Sequence, residues 1–118
     1  HHVDEEAVHF RTNSSDNIIR NCLITHTGLK QPGYGEGVYV GTAIRNWINR
    51  IPDASDRNQI IANHFGPFIA AEPIDIKEGT RDGLIEGKLT KFMINIKIYW
   101  YKYLIKSQLK GTILTVLE

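Results

Sequence analysis

Apolar and polar residues alternate along this chain in short bursts, and three of the bursts repeat one another. Glu6-Ala7-Val8-His9-Phe10-Arg11, Glu36-Gly37-Val38-Tyr39-Val40-Gly41 and Glu72-Pro73-Ile74-Asp75-Ile76-Lys77 share the order Glu, any, apolar, any, apolar, any. A period of two is that of a strand with one buried face. The pattern predicts that Val8, Phe10, Val38, Val40, Ile74 and Ile76 fill an interior. It puts His9, Tyr39 and Asp75 in one outward column and Arg11, Gly41 and Lys77 in the next.

A second set follows the first: Ile18-Ile19-Arg20-Asn21-Cys22-Leu23, Ile60-Ile61-Ala62-Asn63-His64-Phe65 and Leu84-Ile85-Glu86-Gly87-Lys88-Leu89. Positions 8 and 18 lie 10 apart, as do 74 and 84, whereas 38 and 60 lie 22 apart, which predicts a polar insertion around residues 46–57. The Glu-led units are 30 and 36 residues long, a period that signals stacked repeats. The strands are short, the turns carry Asn, Gly and Asp, and no two-residue hairpin turn joins neighbouring runs, so a parallel β-helix fits better than a propeller. Asn21 and Asn63, with Gly87 in the third unit, are expected to stack at a corner that needs left-handed backbone.

Residues 4–87 resemble the secreted right-handed parallel β-helix repeat proteins, the pectate-lyase-like superfamily. The resemblance rests on the three Glu-led segments, and it implies a secreted or cell-surface setting. The expected fold is all-β, a right-handed parallel β-helix segment of about three rungs with an irregular C-terminal tail. Residues 1–87 would form the rungs, and residues 88–118 a divergent Lys-rich tail that either caps the last rung or replaces it with unrelated sequence.

Charge separates the two parts. The chain carries a net +1, but residues 1–87 hold 8 Lys and Arg against 12 Asp and Glu, while residues 88–118 hold 6 Lys against Glu118. Lysines beside aromatics in the tail are read as a solvated face rather than a nucleic-acid site. No apolar run reaches the roughly 18 residues of a membrane span. Cys22 is the single cysteine, so no disulfide framework exists, and it reads as a small core residue. The chain begins His1-His2-Val3, as a piece of a longer protein would.

The Glu column is the unusual element of the repeat. Glu6, Glu36 and Glu72 would lie on consecutive rungs, and carboxylates about 5 Å apart repel by roughly 3 kcal/mol at an effective dielectric of 20. A hard cation such as Ca²⁺, neighbouring Arg, Lys or backbone N–H groups, or protonation of one member would each relieve this. Glu36 and Glu72 are the candidate metal ligands.

Glu72-Pro73-Ile74-Asp75-Ile76-Lys77-Glu78 is similar to a segment of the chondroitinase B and alginate lyase type of β-helix polysaccharide lyases. The resemblance implies Glu72 as a Ca²⁺ ligand and Lys77 as the base of a β-elimination on a uronate. Two parts of that pattern lack counterparts: Ala70 stands where a second acid would be, and Arg81 is the last arginine of the chain. Among the histidines, His26 and His64 read as loop and turn residues. His9, facing out beside Arg11, is the candidate for a catalytic role with it.

Residues 28–35 and 46–50 are longer than corners need, and long loops on a rigid solenoid are where ligand contacts concentrate. Tyr34, Tyr39 and Trp47 are placed to stack on sugar rings, with Lys30 and Asp75 as polar contacts; a Trp47 tucked over the end of the coil is the competing reading. The sequence thus points to a carbohydrate-active protein that cleaves or binds an anionic polysaccharide with Ca²⁺. The alternative is a non-catalytic structural or adhesive solenoid.

Overall fold

The computed structural model describes residues 1–87 and the backbone of 97–98 and 104–107. The described residues form ten short strands: β1 Val8–Phe10, β2 Ile18–Arg20, β3 Leu23–Ile24, β4 Val38–Val40, β5 Gln59–Ile61, β6 His64–Phe65, β7 Ile74–Ile76, β8 Leu84–Gly87, β9 Lys97–Ile98 and β10 Leu104–Ser107. Every pairing among them is parallel. Three sheets result, in the orders β1-β4-β7-β9, β2-β5-β8-β10 and β3-β6. Successive strands of the chain lie in different sheets and each sheet is filled by equivalent strands of successive rungs, which is the parallel β-helix expected.

The first sheet keeps the register read from the repeat: Val8 pairs with Val38 and Val38 with Ile74. Val38, Val40, Ile74 and Ile76 are fully buried and meet Ile60 and Ile85 of the second sheet and Ile24 and Phe65 of the third. Val8 and Phe10, on the first rung described, are half-buried against that core.

The second sheet corrects the register of the middle unit by one residue. Ile19, not Ile18, pairs with Ile60, and Ile18 pairs with Gln59. The third sheet keeps that step, with Leu23 opposite His64. Asn21 and Asn63 therefore do not stack. Asn63 lies opposite Cys22, where its Oδ1 accepts the Cys22 N–H at 3.0 Å and its Nδ2 donates to the Ile19 carbonyl at 2.9 Å. The left-handed corner column is instead Asn21, Ala62 and Gly87, with φ of 53°, 50° and 144°. An Asn pair does stack, at another corner: Asn17 Nδ2 donates to Asn58 Oδ1 at 2.9 Å, and Asn58 is fully buried. Cys22 is exposed rather than in the core.

The same polar ladder moves the insertion. The Ser14 N–H donates to Ser55 Oγ, the Ala54 N–H to Asn13 Oδ1 and the Asp56 N–H to Ser15 Oγ. Residues 53–58 are thus the counterpart of 12–17. The extra chain of the middle rung is residues 42–52, which leave after Gly41 and rejoin at Asp53. The tail expectation falls largely on residues outside those described. Within it, β9 continues the first sheet against β7 and β10 the second against β8, although neither sequence repeat extends there.

Candidate functional site

The outward face of the first sheet collects most of the chemistry. His9, Tyr39 and Asp75 are successive partners in the ladder, as the strand parity predicts. The His9 and Tyr39 rings meet edge-on with centroids 4.4 Å apart. Lys77 Nζ lies 5.2 Å from the Tyr39 ring centroid and 2.8 Å from Asp75 Oδ2. A lysine beside both a carboxylate and an aromatic face has its ammonium well placed, and its stem is packed rather than solvated.

The Glu column forms as expected. The Ala7 N–H donates to the Glu36 carbonyl and the Gly37 N–H to the Glu72 carbonyl, so the three Glu residues lie on consecutive rungs. Their environments then diverge. Glu6 Oε1 is 2.7 Å from His9 Nδ1, whose ring donates from Nε2 to the Gly41 carbonyl at 2.9 Å. With both ring nitrogens facing acceptors, His9 is fixed in orientation by rungs 1 and 2 together. Glu36 is buried, and it shares its surroundings with Glu72 and Asp75: one carboxylate oxygen from each lies within 4.8 Å of the others. Asp75, read from sequence as a sugar contact, is thus brought into the carboxylate group with the two Glu residues read as metal ligands.

These charges shape the titration of the face. Burial first, then the negative charges of Asp75, Glu72 and Glu6, push the Glu36 carboxyl up, against a backbone hydrogen bond that lowers it. Burial and the charges of Asp75, Glu36, Glu78 and Glu6 hold the Tyr39 phenol well above its ordinary value. The same burial and charges favour the neutral Tyr39 hydroxyl over its phenolate.

Beside this face opens a cleft of about 630 Å³. It is lined by His9, Arg11, Glu36 and Tyr39 of rungs 1 and 2, by Tyr34 on one loop and by part of the 42–52 excursion, Trp47, Ile48 and Ile51 included. Trp47 is half-buried: its Nε1 donates to the Thr42 carbonyl at 2.8 Å, and its ring edge lies against the backbone at Gly79. Lys77, Asp75 and Glu72 stand at rung 3, at the Tyr39 end. Lys30 is not brought to the cleft; it is exposed and paired with Asp4 at 2.8 Å. His26 stacks on His2 with centroids 4.3 Å apart, and His64 is exposed on β6.

Asp53 is the residue that sequence reasoning missed. Its Oδ1 accepts the Asn13 N–H and Ser55 Oγ, and its Oδ2 accepts the Thr12 N–H and Thr42 Oγ1, at 2.6 to 2.9 Å. Burial alone would raise its carboxyl, but these hydrogen bonds outweigh it and hold the group below the usual carboxylate value. Asp53 thereby closes the base of the excursion onto the first rung. Two of its four partners are backbone N–H groups of Thr12 and Asn13 on the preceding rung, so no side-chain motif announces it.

No family model matches the chain, and no curated protein matches it. Among solved structures, the chain is similar to an alginate lyase from Paenibacillus sp. str. FPU-7, with 34% sequence identity and a TM-score of 0.67 over 96% of this chain. The chain spans 42% of the length of that lyase. An alginate lyase is thus a protein that the chain is similar to in both fold and sequence. Among the described residues, no helix is long and apolar enough to cross a membrane.

Proposed function

We propose that the outward face of the first sheet is the reaction centre of a polysaccharide lyase acting by β-elimination on an anionic, uronate-containing polymer outside the cell. The observation that carries this reading is the placement of Lys77 Nζ 5.2 Å from the Tyr39 ring centroid, beside a cleft of about 630 Å³. The likeness to an alginate lyase supports it.

In this reading Lys77 removes the proton on the carbon next to the uronate carboxylate. The electron pair forms a carbon–carbon double bond, the bond to the glycosidic oxygen breaks, and the Tyr39 hydroxyl gives its proton to that leaving oxygen. His9, held by Glu6 and the Gly41 carbonyl, fixes the Tyr39 ring from the other side.

Glu36, Glu72 and Asp75 fit a hard divalent cation: all three donors are carboxylate oxygens, and they are close enough to repel one another by about 3 kcal/mol per pair at an effective dielectric of 20. A Ca²⁺ ion held there would neutralise the uronate carboxylate and engage the Asp75 charge that Lys77 faces. Lys77 remains the group that moves the proton.

The test is ultraviolet detection of unsaturated product from alginate, pectate and chondroitin, with and without Ca²⁺. Cleavage of an acidic polymer is expected, with Lys77→Ala lowering turnover by about 10³-fold, the range of a lost general base. Binding without any cleavage would place the chain with non-catalytic solenoids instead.

A further inference from the structure

Four acids line the cleft with one permanent cation, Arg11, among the described residues, so at first sight it should repel an anion. Three of the four are already engaged. Glu6 meets His9, Glu5 Oε1 accepts from Gln31 Nε2 at 2.7 Å and Asp53 is saturated by its four donors, while Glu36 belongs with Glu72 and Asp75 to the carboxylate group at the Tyr39 end. The Arg11 guanidinium, by contrast, is exposed and makes no ion pair or hydrogen bond among the described residues. Away from that carboxylate group, the uncommitted charge of this cleft is therefore positive.

Trp47, Ile48 and Ile51 belong to the wall of the same cleft. Ile48 is 81% exposed and Ile51 65% exposed, so neither serves the core. The segment that carries them is nevertheless anchored, by Asp53 to Thr42, by Trp47 to Thr42 and by the Ile44 N–H to Glu78 Oε2. An apolar rim on an anchored loop beside a free guanidinium matches a ring that has one apolar face and one carboxylate.

We propose that Arg11 with the Trp47, Ile48 and Ile51 rim forms a distal subsite for a second acidic sugar. The guanidinium takes that sugar's carboxylate, and the rim takes the apolar face of its ring. The subsite rests on the lyase reading of the Lys77 face and specifies its substrate further. Arg11 and Lys77 belong to one outward column, two rungs and so about 9.6 Å apart at the usual strand spacing. That distance suits a disaccharide unit rather than one sugar. Gly41 stands between them, and a Cβ there would lie 2.6 Å from Thr80 Cγ2, so no side chain interrupts the column. The ligand class is a polyuronate with carboxylates on sugars at both ends of such a unit.

The experiment is isothermal titration of the chain, in the Lys77→Ala background to prevent turnover, with a uronate tetrasaccharide from alginate and with its carboxyl-reduced neutral counterpart. Arg11→Gln is expected to weaken binding of the acidic tetrasaccharide about tenfold or more, as the loss of a charge-assisted hydrogen bond would, while leaving the neutral one unchanged. Arg11→Lys should restore only part of the loss, because a lysine lacks the two-pronged geometry. Ile48→Ser should weaken both ligands alike. An Arg11→Gln protein that binds the acidic tetrasaccharide as its parent does overturns the subsite and leaves the lyase reading standing. Equal losses for acidic and neutral ligands also overturn it. If no acidic polymer is bound or cleaved by the unmutated chain, both readings fall.

Discussion

Asp53 and Glu36 are both buried carboxylates lining one cleft, and they titrate in opposite directions. Asp53 meets four donors and no nearby acid, and its charged form is favoured. Glu36 meets Asp75, Glu72 and Glu6, and its charged form is opposed. Burial is common to the two, so the difference comes from what surrounds them. Asp53 is a stabilising group, whereas the crowding at Glu36 is a cost to the fold of the kind concentrated where a ligand or a reaction makes use of it.

Breaking the comparison at Asp53 should give the larger effect. Asp53→Ala leaves two backbone N–H groups and two hydroxyls without their acceptor, and is expected to lower stability by about 3 kcal/mol, read as the midpoint of urea unfolding. Glu36→Gln should leave stability at neutral pH unchanged or raise it by about 1 kcal/mol, because it removes an opposed charge, while weakening any Ca²⁺ dependence of activity.

The pH profile of stability sharpens the contrast. Asp53 has a folded value below its ordinary 3.8, so the unfolded chain binds its proton more readily, and stability falls as pH drops below 3.8. Glu36 has a folded value above its ordinary 4.5, so the folded chain binds its proton more readily, and stability falls as pH rises through 4.5. Thermal unfolding across pH 2 to 7, as about unit steps, should show both limbs, with Glu36→Gln flattening only the upper one. A profile unchanged by Glu36→Gln would show that its neighbours do not oppose its charge.

The smallest expected effect concerns the corner column. Ala62 holds a left-handed φ of 50° where Asn21 and Gly87 stand on the rungs either side. Ala62→Gly should stabilise by about 0.5 to 1 kcal/mol, since glycine adopts that conformation without steric penalty. Asn63→Gly should do the opposite, because Asn63 is the bracket that bonds the chain one rung away.

The first sheet was legible because its apolar residues alternate, so Val38 and Val40, or Ile74 and Ile76, all fully buried, declare their parity outright. The middle unit of the second sheet was not, since adjacent Ile60 and Ile61 offer two phases and only one can face inward. The polar ladder of residues 12–17 on 53–58 settles that phase through hydrogen bonds that no hydrophobic pattern encodes. At the site, the outward column of His9, Tyr39 and Asp75 and the Glu column were each readable. Their convergence depends on side chains crossing from corner to strand, which placed Asp75 among the acids rather than among sugar contacts.

The excursion of residues 42–52 leaves the first sheet and returns to the polar ladder without shifting either register. In a solenoid, the pitch is set by backbone pairing between rungs and is indifferent to how much chain one rung spends between its sheets. The length and composition of that wall are therefore free to vary while the His9, Tyr39 and Asp75 column below stays in place. A different excursion spliced between Gly41 and Asp53, with the Thr42 and Asp53 clasp retained, would give the same coil a cleft of another shape.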